Sequence, residues 1–97
     1  MFEIFLSDTA KEQLDKLKAD NGLRKRYAAV KKTIMLLSTD LRYKSLNTHE
    51  LTSLKGPSGE KIFEAYEQQS TPAAYRVFWY YSSLKSQITI VAITPHL

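Results

Sequence analysis

The spacing of apolar residues changes along the chain, from a helical period to strict alternation. The helical stretch steps by four and three residues through Leu23, Tyr27, Val30, Ile34, Leu37 and Leu41, which draws one apolar stripe on a helix. From Lys61 onward the period is two, as in strands that bury one face. A chain with both patterns in this order buries its apolar surface by packing helices on one side of a sheet, which is the α+β class.

The segment before the stripe predicts a strand and a first helix. Residues 2–6 alternate as a short strand, and Ser7-Asp8-Thr9 offers a helix N-cap, with Thr9 and Glu12 at capping-box spacing. Asn21-Gly22 predicts the end of this helix, because glycine adopts the left-handed conformation without steric penalty. The two helices are therefore expected to form an antiparallel hairpin.

The second part of the chain predicts a small sheet. Residues 42–60 lose both periods and are expected to form an irregular loop that contains the turn Gly56-Pro57-Ser58-Gly59. Residues 61–68, 74–82 and 87–94 then predict a three-stranded antiparallel meander. The expected architecture is an N-terminal strand, a two-helix hairpin and this meander, in a single domain that spans residues 1–97.

Composition excludes several classes of function. The chain has no cysteine, so a disulfide scaffold, a Cys-based zinc site and a thiol nucleophile are ruled out. Two histidines are too few for an all-His metal site, and no P-loop, GxGxxG or paired-carboxylate signature is present, so we expect no metal and no cofactor. The N-terminus shows no signal peptide and no apolar run reaches membrane-spanning length, which predicts a cytoplasmic protein with no membrane partner.

Basic residues are concentrated in one stretch of the chain. The net charge is +4 overall, yet residues 24–44 hold a larger local excess. Against the single acid Asp40 stand Arg24, Lys25, Arg26, Lys31, Lys32, Arg42 and Lys44. Such a block suits a polyanion such as nucleic acid, or an acidic protein partner, and the alternative is an ordinary solvated helix face.

Arg76 is a candidate phosphate ligand because it lies in the middle of an apolar strand. Alternation turns it away from Val77 and Trp79, whose face is expected to pack on the helices. The planar guanidinium suits phosphate, and a strand holds it rigidly. The alternative is a cross-strand ion pair with Glu64 or Glu67.

Two further segments offer groups for acid–base chemistry. Near the end of the irregular loop, His49 or Glu50 could take a proton and Lys55 could offset phosphate charge, although Glu50 could instead cap a short helical turn. His96 titrates near neutral pH and could serve as a general acid or base, or be an ordinary end residue.

Across essentially the whole chain, these motifs resemble the RelE/ParE superfamily of type II toxins. The resemblance rests on the strand Tyr75-Arg76-Val77-Phe78, on Leu54-Lys55-Gly56, and on a closing strand that runs to His96. The finish is most similar to the YoeB branch, in which an aromatic residue occupies the position of Leu97.

The resemblance implies a function and a set of site residues. It implies a toxin that cleaves mRNA on the ribosome as a metal-free endoribonuclease, inhibits translation and is silenced by a cognate antitoxin in a hetero-oligomeric complex. Arg76 matches the arginine that binds the scissile phosphate, His96 matches the general acid, and Glu50 is the nearest match to the general base, with His49 as its alternative. The other expected RNA contacts are Lys55, Lys61, Arg42 and Lys44 for phosphate, and Tyr66 and Tyr80 for base stacking.

The same fold carries other functions. The ParE branch poisons DNA gyrase and needs no catalytic residues, and an inactive toxin relative would act only as a binding module. The pair Arg76 and His96, together with a basic concave face, favours the nuclease over the ParE-like function.

Overall fold

The computed structural model describes residues 2–39, 48–66, 75–83 and 86–95, with Tyr66 described by its backbone alone. The elements in these ranges are β1 (Glu3–Leu6), α1 (Asp8–Ala19), α2 (Arg24–Thr39), β2 (His49–Lys55), β3 (Lys61–Tyr66), β4 (Tyr75–Tyr81) and β5 (Gln87–Pro95). The chain is therefore α+β, as the change in apolar spacing predicts. No helix in the described ranges is both long enough and apolar enough to cross a membrane.

The strands form one mixed sheet in the order β1-β5-β4-β3-β2. Strands β3, β4 and β5 are antiparallel neighbours, as expected, but they are the middle of a five-stranded sheet rather than a sheet of three. Strand β1 lies parallel to β5 at one edge, and β2 lies antiparallel to β3 at the other.

The prediction that residues 42–60 form an irregular loop was wrong for His49–Lys55, which form β2. Residues 42–47 lie outside the described residues. The register shifts between Leu51 and Lys55, and a shift of this kind breaks the alternation by which strands are recognised in a sequence. The predicted turn that follows is confirmed: the Gly59 N–H donates to the Gly56 carbonyl at 3.0 Å, and Gly59 has a φ of +86°.

Side-chain caps are present at both ends of the first helical segment, but the residues and geometry differ in part from the predicted ones. The N-cap of α1 is Ser7, whose Oγ accepts from the Ala10 N–H at 3.1 Å, so Thr9 does not have that role. At the other end Gly22 does not adopt a positive φ. Instead Asp20 accepts from the Gly22 N–H at 2.9 Å and caps a short 3-10 turn that leads into α2.

The core lies between the helices and one face of the sheet. Val77 and Trp79 are almost fully buried there, which confirms the predicted inner face of β4. Trp79 also stacks on Phe63, with ring centroids 4.8 Å apart. The buried cluster as a whole contains Ala10, Leu17, Val30, Leu37, Ala65, Val77, Trp79, Ile88, Ile90 and Ile93.

Candidate active site

The face of the sheet turned away from the helices, here called the outer face, carries the candidate site. Because Val77 and Trp79 face the helices, the alternate residues of β4 point the other way. Residues paired across neighbouring strands share a face, so the register extends the outer face to β5, β3 and β2. Its members include Phe5, His49, Leu51, Ile62, Glu64, Arg76, Phe78, Tyr80, Thr89, Ala92 and Thr94.

Glu64 brings an imidazole and a guanidinium together on this face. His49 lies directly opposite Glu64 in the β2–β3 ladder, with its Nε2 2.6 Å from Glu64 Oε1. Arg76 reaches the same carboxylate diagonally from β4, with Nη1 3.3 Å from Oε2. We call these three residues the Glu64 cluster. The cross-strand ion pair between Arg76 and Glu64 that the sequence offered as an alternative is therefore present.

Burial differs sharply within the Glu64 cluster. The side chain of Glu64 is only 3% exposed, whereas those of His49 and Arg76 are 47% and 25% exposed. A buried carboxylate is costly unless hydrogen bonds and opposite charge offset its lost hydration. Glu64 is therefore the buried member of the cluster, and the side chains of His49 and Arg76 are its exposed members.

The contact between His49 and Glu64 determines how the imidazole can act. A neutral ring that donates to the carboxylate carries its proton on Nε2, which leaves the lone pair on Nδ1. If Nδ1 takes a proton, the resulting imidazolium stays paired with a buried carboxylate, the same logic by which an acidic residue supports histidine in hydrolase triads. The described geometry thus places an imidazole and a permanently charged guanidinium on one buried carboxylate.

Three other predicted site residues do not join the Glu64 cluster. Glu50 pairs with Phe63 and therefore lies on the helix side of the sheet, opposite to Arg76. Lys61 shares that side with Phe63 by alternation, and Lys55 is its cross-strand partner next to the hairpin turn. The structure thus separates Glu50, Lys55 and Lys61 from the predicted phosphate ligand.

The remaining predicted residues are placed only in part. Tyr80 is half-buried on the outer face, four positions along β4 from Arg76. The backbone of Tyr66 pairs with Arg76, and its ring lies outside the described residues. His96, Arg42 and Lys44 also lie outside them. Strand β5 is described as far as Pro95, which pairs with Tyr75 next to Arg76.

The sequence analysis named Glu64 only as an alternative partner of Arg76 and did not predict that Glu64 also pairs with His49. A signal was available, since Glu64 interrupts the apolar strand Ile62-Phe63-Glu64-Ala65 as Arg76 interrupts β4. Two opposite charges in adjacent apolar strands are expected to meet. The pairing with His49 gave no such signal, because it depends on a strand that the sequence does not reveal.

The part of the chain that the structure describes holds no group of three or more His, Cys, Asp or Glu arranged to bind a metal ion. Comparison with protein-family models, with curated proteins and with solved structures gave no significant match for this chain.

Proposed function

We propose that this protein is the toxin of a type II toxin–antitoxin system, a metal-independent endoribonuclease that acts in the cytoplasm, cleaves mRNA on the ribosome and inhibits translation. The observation that carries the proposal is the Glu64 cluster, in which one buried carboxylate holds a proton acceptor and a guanidinium side by side. The motifs around Arg76 that resemble the RelE/ParE superfamily supply the substrate class.

The cluster fits the chemistry of RNA cleavage without a metal. In this mechanism His49 takes the proton of a ribose 2′-hydroxyl, and the 2′-oxygen forms a bond to the adjacent phosphorus. Arg76 donates hydrogen bonds to the phosphate oxygens, where negative charge grows in the transition state. The bond from phosphorus to the 5′-oxygen then breaks, and an acid protonates that oxygen, leaving a 2′,3′-cyclic phosphate and a 5′-hydroxyl.

Roles are assigned by position relative to Arg76. His49 is the base in this proposal, because Glu50 is turned to the opposite side of the sheet. His96 keeps the role of general acid that the resemblance gives it. Glu64 touches neither substrate nor leaving group and acts as a positioning residue, since it fixes the ring of His49 and the plane of Arg76.

A second part of the proposal is a cognate antitoxin that binds tightly and suppresses the activity. The helix side of the molecule offers an apolar groove of about 380 Å³ between β1, α1 and α2. Met35 at its rim is 65% exposed, and Lys31 adds a positive charge that suits an acidic amphipathic helix. The groove is lined by Ile4, Leu6, Leu14, Lys31, Ile34, Met35 and Ser38.

The proposal is tested by incubating the purified protein with RNA oligonucleotides and with ribosomes programmed with mRNA. We expect cleavage within the reading frame, with 2′,3′-cyclic phosphate ends. On free RNA, the cleavage should survive EDTA. An intact message under both conditions, together with trapped cleavage complexes of DNA gyrase, would replace the proposal by the ParE-like alternative.

A further inference from the structure

We propose that Phe5 and Tyr80 form a subsite on the outer face that stacks a nucleobase close to the scissile phosphate, so that a single RNA strand lies along β4. The inference rests on the proposed function and adds to it a binding site whose main new member, Phe5, is remote in sequence from the Glu64 cluster.

The register places both rings in one row across the sheet. Phe5 pairs with Thr89, and Thr89 pairs with Tyr80. Their neighbours in β1 and β5, such as Leu6 and Ile90, pack into the core, so this row faces outward. Phe5 is 45% exposed, although it lies on a strand whose alternate residues are half-buried.

Thr89 lies between Phe5 and Tyr80 in this row, and we call its position the recess of the proposed subsite. Its side chain is short, and its hydroxyl group is 2.7 Å from Ser82 Oγ, with which it shares a hydrogen bond. Since neighbouring strands are about 4.8 Å apart, the backbones of Phe5 and Tyr80 are separated by about 10 Å across β5. In the proposed subsite a planar ring stacks on either aromatic side chain, above Thr89.

The position of this recess relative to Arg76 selects RNA as its occupant. Tyr80 and Arg76 lie on the same face of one strand, four residues apart, or roughly 13 Å at the rise of a β-strand. A strand of RNA whose phosphate binds Arg76 can thus place a neighbouring base over Tyr80 and Phe5. Aromatic side chains beside cationic phosphate contacts are the usual means by which proteins bind single strands.

Charge argues against a second copy of this chain as the occupant. A symmetric contact across the outer face would bring two copies of Arg76 and His49 into one interface, and each chain carries a net charge of +4. A polyanion offsets this charge, whereas a second copy adds to it.

The experiment pairs protein variants with abasic oligonucleotides. A single-stranded RNA carries a 2′-O-methyl group at the mapped cleavage site, to prevent the reaction, and one abasic residue that is moved through the flanking positions. Affinity is measured for the unsubstituted protein, Phe5→Ala, Tyr80→Ala and Leu54→Ala, with the RNA free and with the RNA programmed into ribosomes. Leu54→Ala is the control, because it removes an exposed apolar side chain from β2, at the opposite edge of the sheet from Phe5.

We expect Phe5→Ala and Tyr80→Ala to weaken binding by about 5- to 150-fold, as for loss of one stacked base. When the abasic residue stands at the position that occupies the subsite, the same variants should cause no further loss of RNA affinity, because the base that stacks on Phe5 and Tyr80 is already absent. Leu54→Ala should bind like the unsubstituted protein. The subsite would be overturned if all the proteins bound RNA with equal affinity. It would also be overturned if the loss of affinity from each variant added to the loss from the abasic residue at every position tested.

Other outcomes separate the subsite from the proposed function. Cleavage of unmodified RNA that is unchanged in Phe5→Ala and Tyr80→Ala overturns the subsite and leaves the nuclease intact. No binding of any RNA, free or on ribosomes, overturns both. A dimer in sedimentation that Phe5→Ala converts to monomer shows that a second copy covers the recess, and also overturns the subsite.

Discussion

His49 lies directly opposite Glu64 across strands β2 and β3, and its Nε2 is 2.6 Å from a carboxylate oxygen that is almost fully buried. The chain has only one other histidine. This contact fixes the orientation of the imidazole, so the pair provides the sharpest test of the proposed mechanism.

Substitution of His49 should separate it from Glu50 as the general base. We expect His49→Ala to lower single-turnover RNA cleavage by roughly 10²–10⁴-fold, the usual contribution of a positioned base. Glu50→Gln should cleave at close to the unsubstituted rate, because Glu50 lies on the other side of the sheet. Thermal melts of both variants give the control for folding. The opposite result, an active His49→Ala and an inactive Glu50→Gln, would return the role to Glu50.

Glu64→Gln should impair catalysis while the affinity for RNA changes little. The amide keeps the size of the side chain and can still accept from His49, but it does not stabilise a protonated imidazole or pair with the charge of Arg76. We expect a fall of roughly 10²-fold or more in the cleavage rate, with the dissociation constant for 2′-O-methyl RNA within a few-fold. A variant that loses affinity and rate in equal proportion would indicate that Glu64 is only structural.

Arg76 has two roles that can be measured apart. Arg76→Ala removes a partner of a buried carboxylate and should lower the free energy of unfolding by roughly 3 kcal/mol. It should also remove transition-state stabilisation, at a cost of roughly 10²–10³ in the cleavage rate.

Arg76→Lys is the matched variant for this prediction, because it keeps the charge and loses the planar fork. We expect it to recover part of the stability and little of the rate. If both variants cleave like the unsubstituted protein, the arginine is structural alone. Urea unfolding and single-turnover cleavage on the same preparations provide both measurements.

The sequence alone predicted the buried residues of those elements that pack one face against the core. The stripe through Val30 and Leu37 and the inner face of Val77 and Trp79 were predictable, because core burial imposes a period. The outward direction of Arg76 followed from the same alternation.

Strand β2 and its register could not be predicted in this way. An edge strand with a register shift and mostly polar residues has no clear period. The partner of Glu64 depends on that register, since a slip of one residue would turn His49 to the helix side and bring Glu50 to the outer face. The sequence therefore predicted Arg76 as a phosphate ligand and left open whether His49 or Glu50 is the base, and both points stay predictions.

The bulge in β5 supports a last prediction, on the stability of the scaffold. The register with β4 shifts between Ala92 and Ile90, and α1 satisfies the backbone there: the Ile93 N–H donates to Gln13 Oε1 at 2.6 Å, and Ser7 Oγ donates to the Val91 carbonyl at 3.0 Å.

Gln13→Ala should therefore leave the N–H of buried Ile93 without its acceptor, at a cost of about 1–3 kcal/mol. For a domain of this size the melting temperature falls by about 4–8 °C for each kcal/mol. Gln13→Glu keeps an acceptor oxygen at the same reach and should recover most of the loss. The control is Glu12→Ala next to it, because Glu12 is exposed and its pairing with Lys16 is an ordinary i,i+4 surface contact worth about 0.3–0.5 kcal/mol. Equal melting temperatures for Gln13→Ala and Glu12→Ala would show that the hydrogen bond to Ile93 does not hold α1 against the sheet.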